Sequence, residues 1–169
     1  GLPYIHALSK KFNSKISLLV KESSRASDLF ADDDHVDEII TLKNDMDGVR
    51  GIFKLTRELK KRNFDKIFIF NSSLRFYIIS KFSGISEIYQ YPLFEKKNQH
   101  VTDAPRKFIK DKLNLDVNED PEIQIDDKLN SKLIEKFQIN KNEINILLGV
   151  GGSGPTKRIP VTTFLNVID

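Results

Sequence analysis

The chain has 169 residues, 39% of them hydrophobic and 30% charged, and no cysteine. That length allows one well-formed core, or one domain with part of another, and the lack of thiols excludes a disulfide frame, thiolate catalysis and a cysteine zinc site. A formal net charge of only +3 argues against strong polyelectrolyte attraction to nucleic acid, and no apolar run is long enough to cross a bilayer.

Pro3 suits the first turn of a helix, where its absent N–H is no loss. Ile5, Leu8 and Phe12 then fall on one face, with Lys10 and Lys11 off it. KISLLV (15–20) reads as a short buried strand, and SSRASDLFAD (23–32) offers a capping serine and a short helix. VDEIITL (36–42) reads as a strand. GVRGIFKLTRELKKRN (48–63) is a helix with Val49, Ile52, Phe53, Leu55 and Leu59 available for a buried side. DKIFIF (65–70) is expected to be a fully buried strand. SLRFYIISKFSG is a helix stopped by Gly84, and EIYQY (87–91) is a further strand. Short, continuously apolar strands alternating with helices point to a parallel sheet covered on both faces. The expectation is a doubly wound α/β layer, which a strand before Gly1 would complete.

The texture changes after Pro92. VTDAPRKFIKDKLNL (101–115) is a basic amphipathic helix with Pro105 near its start, and a strand is possible at 122–125. DDKLNSKLIEKFQIN (126–140) reads as a helix with Leu129, Leu133, Ile134 and Phe137 turned inward. EINILLGV (143–150) starts what looks like a new α/β unit, so a domain boundary is expected near Asn140, separating residues 1–140 from 141–169. A chain that opens without Met at a helix and stops within FLNVID is read as a fragment of a longer protein.

Between that new strand and a helix lies GVGGSGPTKRIP (149–160). Gly149, Gly151 and Gly154 satisfy G-x-G-x-x-G, a weak signal when it stands alone. Pro155 and Pro160 interrupt the helix that a dinucleotide fingerprint would open, and a Walker loop would need Ser or Thr directly after a Gly-Lys pair. A simpler reading is an anion site. Small residues let backbone N–H groups approach, and the helix after Pro160 aims its positive end at the loop. Ser153 and Thr156 add hydroxyl groups and Lys157 a charge. The bland alternative is a flexible interdomain turn.

These segments together resemble glycosyltransferase family 9, the ADP-heptose:lipopolysaccharide heptosyltransferases. GLPYIHALSKKF is similar to the family's first helix, and FDKIFIFNSSLRFYIISKFSGI to its strand, polar turn and helix, with Ser73, Arg75 and Gly84 in matching places. QHVTDAPRKFIKDKLNL resembles the His-led helix before the domain junction, starting at His100. ILLGVGGSGPTKRIP resembles the first strand and loop of the second domain, with Ile159 where the family usually has Trp. The resemblance implies a GT-B fold: a Rossmann-like acceptor-side domain, followed here by the first unit of a second, nucleotide-sugar-binding one. It implies inverting, metal-independent transfer of a heptose or similar sugar from ADP-heptose or a related donor to a lipopolysaccharide core acceptor. It also implies a cytoplasmic protein with possible peripheral contact with the inner membrane. No cofactor is implied, and no partner among nucleic acids.

By the same resemblance, Lys157 contacts donor phosphate with Ser153 beside it. Gly152 stands where a hydroxyl residue can occur. Thr156, whose hydroxyl the anion-site reading already placed at the loop, completes the candidate donor set. The general-base Asp is expected upstream of Gly1, so this chain alone is expected to be inactive. Rival readings are a nucleotide-dependent Rossmann oxidoreductase and a non-catalytic nucleotide- or sugar-binding domain.

Ser73, Arg75 and His100 are the candidate acceptor residues. Asn71 to Arg75 follow a strand at its carboxyl end, where open α/β sheets bind ligands, and Arg75 could grip a phosphate or carboxylate in a bidentate way. Ordinary helix capping by Ser72 or Ser73 is the competing reading. His6, His35 and His100 share no metal-ligand spacing. ADDDHVDE (31–38) lacks the glycine of a calcium loop and reads as a solvated turn. Lys96, Lys97, Arg106, Lys107, Lys110 and Lys112 form a basic stretch that could meet acidic headgroups, with a solvated helix face preferred.

Overall fold

The computed structural model describes residues 2–92, 103–118, 121, 126–140, 142–145 and 159–168. The chain divides into two compact units, Gly1–Gln124 and Ile125–Asp169.

In the first unit the elements run α1 (Leu2–Phe12), β1 (Ile16–Lys21), α2 (Ala26–Leu29), β2 (Val36–Leu42), α3 (Gly48–Arg62), β3 (Lys66–Ile69), α4 (Leu74–Phe82), β4 (Glu87–Gln90) and α5 (Asp103–Leu113). The alternation expected from hydrophobic patterning is the one observed. All strand pairing among the described residues is parallel. β1 lies beside β2, with Leu19 opposite Ile40, and β3 lies beside β4, with Phe68 opposite Tyr89. The two pairs form separate ribbons with no hydrogen bonds between β1 and β3. That explains one departure from expectation: β3 is half-buried along most of its length, because a strand in a two-stranded ribbon keeps one edge unpaired.

Helices cover both faces of this layer. Tyr4 and Leu8 of α1 pack with Phe108 and Ile109 of α5 and with Val117, against Ile16, Phe68 and Tyr89 from the strands. Leu55 and Leu59 of α3 and Ile79 of α4 pack with Ile40 and Met46, against Leu19, Leu42 and Phe76. α1, α3, α4 and α5 stop where a residue enters the left-handed region or a glycine allows it. Asn63 ends α3 at φ 50° and Gly84 follows α4 at φ 85°.

Several faces differ from those read off the sequence. In α1 the buried positions are Tyr4, Leu8 and Ser9, and Ile5 is only half-buried. α2 is one turn long, and its cap position is Arg25 in the left-handed region, not a serine. In α3 the buried stripe is Gly51, Leu55 and Leu59, while Val49 and Phe53 are 70% and 73% exposed. The 3.6-residue period puts 49 and 53 on the side opposite that stripe, so one helix cannot bury both sets against one sheet.

The second unit contains α6 (Asp127–Lys136) and α7 (Val161–Ile168). The Asp126 carboxylate caps α6, accepting from the Lys128 N–H at 3.0 Å. Leu129, Leu133 and Phe137 are 50%, 38% and 63% exposed, so the inward face expected for this helix is not buried. α7 begins directly after Pro160, as the sequence suggests. The possible strand at 122–125 and most of the strand before the glycine loop lie outside the described residues.

Candidate functional site

At the carboxyl ends of β2, β3 and β4, side-chain hydrogen bonds tie the residues that follow the strands to one another. After β3, the Asn71 and Ser73 carbonyls accept from Gln90 Nε2 at 3.3 and 2.8 Å. The Ser72 hydroxyl donates to the Pro92 carbonyl at 2.8 Å. These bonds fasten the loop after β3 to the end of β4. Neither serine caps α4: Ser73 occupies the cap position without a side-chain cap bond, and Ser72 is engaged elsewhere. The Ser73 hydroxyl has no hydrogen-bond partner among the described residues, and it stands at the carboxyl end of the parallel layer, the edge where such sheets meet ligands.

Arg75 reaches from the first turn of α4 to the loop after β2. Its Nη1 donates to Asp47 Oδ1 at 3.0 Å and its Nη2 to the Met46 carbonyl. Its Nε is buried without a hydrogen-bond partner among the described residues. The Arg75 side chain is 31% exposed and that of Asp47 83%. The guanidinium is thus a clamp on the turn at Asn44–Met46, with N–H groups still uncommitted because each terminal nitrogen carries two. Replacing Arg75 with Ala removes two hydrogen bonds, one to a charged partner. We expect a loss of about 1–2 kcal/mol of stability, with faster amide exchange at residues 44–48. Unchanged exchange there would show that Arg75 does not hold the turn.

Next to this edge, Phe70, Tyr91 and Phe108 pack edge-to-face, with ring centroids 4.9 to 5.8 Å apart. Burial, with Tyr4 beside it, pushes the Tyr91 phenol up to about 12, so it stays neutral at physiological pH. Its hydroxyl is buried without a hydrogen bond among the described residues. Lys66 and Glu87 pair across the other end of β3 and β4. Hydrogen bonds from Lys66 and from the Tyr89 hydroxyl hold the Glu87 carboxyl below its ordinary range.

The structure brings Ser73 and Arg75 to one edge. Lys157, Ser153, Gly152, Thr156 and His100 lie outside the described residues. So do Lys96 and Lys97 of the basic stretch, whereas Lys107 and Lys110 in α5 pair with Asp111 and Asp116, both at 2.6 Å. A groove lined by Phe53, Lys54, Arg57, Glu58 and Lys61 lies on α3 alone. It brings together no groups from different elements, so the strand ends are the better candidate site.

A cluster at the opposite, amino edge escaped the sequence reading. Asp33 is only 7% exposed, although the acidic run around it suggested a solvated turn. Its Oδ2 lies 2.8 Å from His6 Nε2, and its Oδ1 accepts the His35 backbone N–H at 2.9 Å. The two imidazoles are 4.5 Å apart between centroids, and His35 Nδ1 is 3.0 Å from the Ser9 hydroxyl. Burial would raise the Asp33 carboxyl, but the His6 hydrogen bond, the His35 N–H and the charge of both rings hold it below its ordinary value. The described residues contain no group of three or more His, Asp or Glu able to hold a metal ion. The cluster is a latch between α1 and the start of β2. Spacing alone could not reveal it, because 27 residues separate His6 from Asp33.

No family model and no curated protein matches the chain. Two solved structures do. The glycosyl transferase family 9 structure from Veillonella parvula matches 99% of this chain and 54% of its own, at 17% identity and a TM-score of 0.76. The E. coli ADP-heptose lps heptosyltransferase II matches 83% of this chain and 46% of its own, at 15% identity and a TM-score of 0.57. The chain therefore has the α/β fold of these GT-B glycosyltransferases, spanning about half of their length.

Proposed function

We propose that the protein is an inverting, metal-independent glycosyltransferase that moves a heptose or similar sugar from a nucleotide-sugar, ADP-heptose or a relative, to a lipopolysaccharide core acceptor. In this reading residues 1–140 form the acceptor side and residues 141–169 begin the donor side. The observation that carries it is the match of fold over 99% of the chain to a family 9 glycosyl transferase. The uncommitted Ser73 hydroxyl and the spare N–H groups of Arg75, at the ligand edge of the layer, add to it.

The chemistry asks for three things. A carboxylate base takes the proton of the acceptor hydroxyl as that oxygen attacks the anomeric carbon from the side opposite the diphosphate. The bond between the anomeric carbon and the diphosphate oxygen breaks, and its electron pair leaves with the nucleoside diphosphate. Charge growing on that leaving group needs donors already in place. Lys157, the Ser153 and Thr156 hydroxyls and the backbone N–H groups around Gly152 are assigned that task, and Ser73, Arg75 and His100 the acceptor.

The test uses the complete protein with ADP-heptose and, separately, NAD. Transfer from the sugar nucleotide is expected, without NAD binding. Lys157→Ala should weaken donor binding by about tenfold or more, since it removes a charge-assisted contact worth about 1.5–3 kcal/mol. Normal donor affinity in that variant would remove the role given to Lys157. Binding of NAD in place of ADP-heptose would replace the reading with an oxidoreductase.

A further inference from the structure

The Asp47 carboxylate is used away from the place its backbone prepares for it. Asp47 occupies the cap position of α3 with extended backbone, φ −84° and ψ 163°, and yet its side chain does not cap the helix. Aspartate is among the residues best suited to that task, and the first N–H groups of a helix have no acceptor within it. The carboxylate instead takes a hydrogen bond from Arg75 Nη1 at 3.0 Å. That contact is weakly held. The Asp47 side chain is 83% exposed, and ion pairs open to water contribute little. Arg75 does not depend on it for its position. Its Nη2 donates to the carbonyl of Met46, a buried residue, and its guanidinium carbon lies 5.8 Å from the centre of the Phe76 ring. The neighbouring acid, Asp45, is paired with Lys54. The guanidinium is thus fixed by groups that stay in place, and it carries one anion that is free to leave.

We infer that Asp47 is an exchangeable stand-in for a phosphate group. A phosphate reaching the carboxyl edge takes Arg75, and the displaced carboxylate turns back to cap α3. Before the exchange one anion occupies Arg75 and the start of α3 is left uncapped. After it, both donor sets hold an anion. Departure of Asp47 leaves N–H groups free on both terminal nitrogens of Arg75, a fork suited to phosphate. The turn of Asp47 takes place beside Gly48, which stands at φ 66° with open space where a Cβ would be, so no side chain there obstructs it. The Ser73 hydroxyl, at the cap position of α4 and equally unspent, is two residues from Arg75 and serves the same ligand. A neutral sugar cannot drive the exchange, because it does not replace the charge that Asp47 withdraws. Asp47 therefore selects an anionic ligand and holds the guanidinium closed to neutral ones. Under the proposed function that ligand is a phosphorylated sugar of the acceptor. This identification rests on the transfer reading; the exchange at Arg75 does not.

The experiment is calorimetric titration of the complete protein with inorganic phosphate, glucose 6-phosphate and glucose, with no nucleotide-sugar present. Binding of both phosphates and not of glucose is expected, with glucose 6-phosphate the tighter. Arg75→Gln should abolish binding. Asp47→Asn keeps a capping side chain but removes the competing charge. It should bind glucose 6-phosphate about threefold to fivefold more tightly than the wild type, a gain that misfolding cannot produce. Amide exchange at Val49 and Arg50 should slow when glucose 6-phosphate is added to the wild type, as the cap forms, and not in Asp47→Ala. Weaker or unchanged affinity in Asp47→Asn would overturn the inference, since a fixed partner that only orients Arg75 gives that result. So would absence of phosphate binding, binding that survives Arg75→Gln, or exchange at residues 49 and 50 that ignores the ligand. Tighter binding of inorganic phosphate than of glucose 6-phosphate would make the free ion the ligand and overturn its assignment to a sugar. Failure of sugar transfer with these results intact would remove the proposed function and leave the exchange standing.

Discussion

Replacing Gly51 with Ala is expected to destabilise the protein by about 2–3 kcal/mol. Helix propensity alone gives the opposite sign, since Ala in a helix interior is about 1 kcal/mol better than Gly. The difference lies in what the missing side chain makes room for. A Cβ at position 51 would overlap the Met46 carbonyl oxygen and carbon and stand 2.8 Å from its Cα. These are backbone atoms, which cannot swing aside as a flexible side chain can. Met46 is itself 7% exposed and belongs to the core under α3 and α4. The turn must therefore move as a unit, pulling on the Arg75 clamp that holds the Met46 carbonyl. A urea midpoint at or above that of the wild type would refute this account. Because the turn forms part of the ligand edge, the same substitution should also weaken acceptor binding if the proposed function is right.

Asp33→Asn should cost about 1.5–3 kcal/mol at neutral pH, the range for a hydrogen bond to a charged group. The amide keeps the shape but loses the charge, so it cannot serve His6 and the His35 N–H as the carboxylate does. The pH dependence follows from the lowered Asp33 value. A carboxyl whose folded pKa lies below its unfolded value of about 3.9 adds stability above that value. The contribution is lost as pH falls through the folded pKa. The gap between wild type and Asp33→Asn, followed by chemical denaturation, should therefore be widest above about pH 4 and narrow under stronger acid. A gap that is constant down to the acid limit would show that the charge of Asp33 is not what holds the latch.

The sequence carried the order of elements because each one follows from local rules. Apolar runs of four to seven residues make strands, the periodic stretch from Gly48 makes a helix, and Asn63 and Gly84 supply the left-handed conformation that ends one. The parallel, doubly covered layer was legible in the same way, since helices between strands leave little other choice. The edge holding Ser73 and Arg75 was legible too, because a parallel layer presents its loops at the carboxyl ends.

What the side chains at that edge do was not. Arg75 finds the Met46 carbonyl 29 residues away, and Ser73 leaves its capping position unused; both depend on how neighbouring loops fold back. The same reason separates Phe53 from Leu55. Both are apolar residues of one helix, and only the direction of the sheet decides which of them is buried. Asp33 and His6 meet because α1 lies across the start of β2, a placement set by packing of the whole layer. Local propensity acts within a few residues and can be read along the chain. Burial, pairing and charge compensation act across space, and they exist only once distant segments have come together.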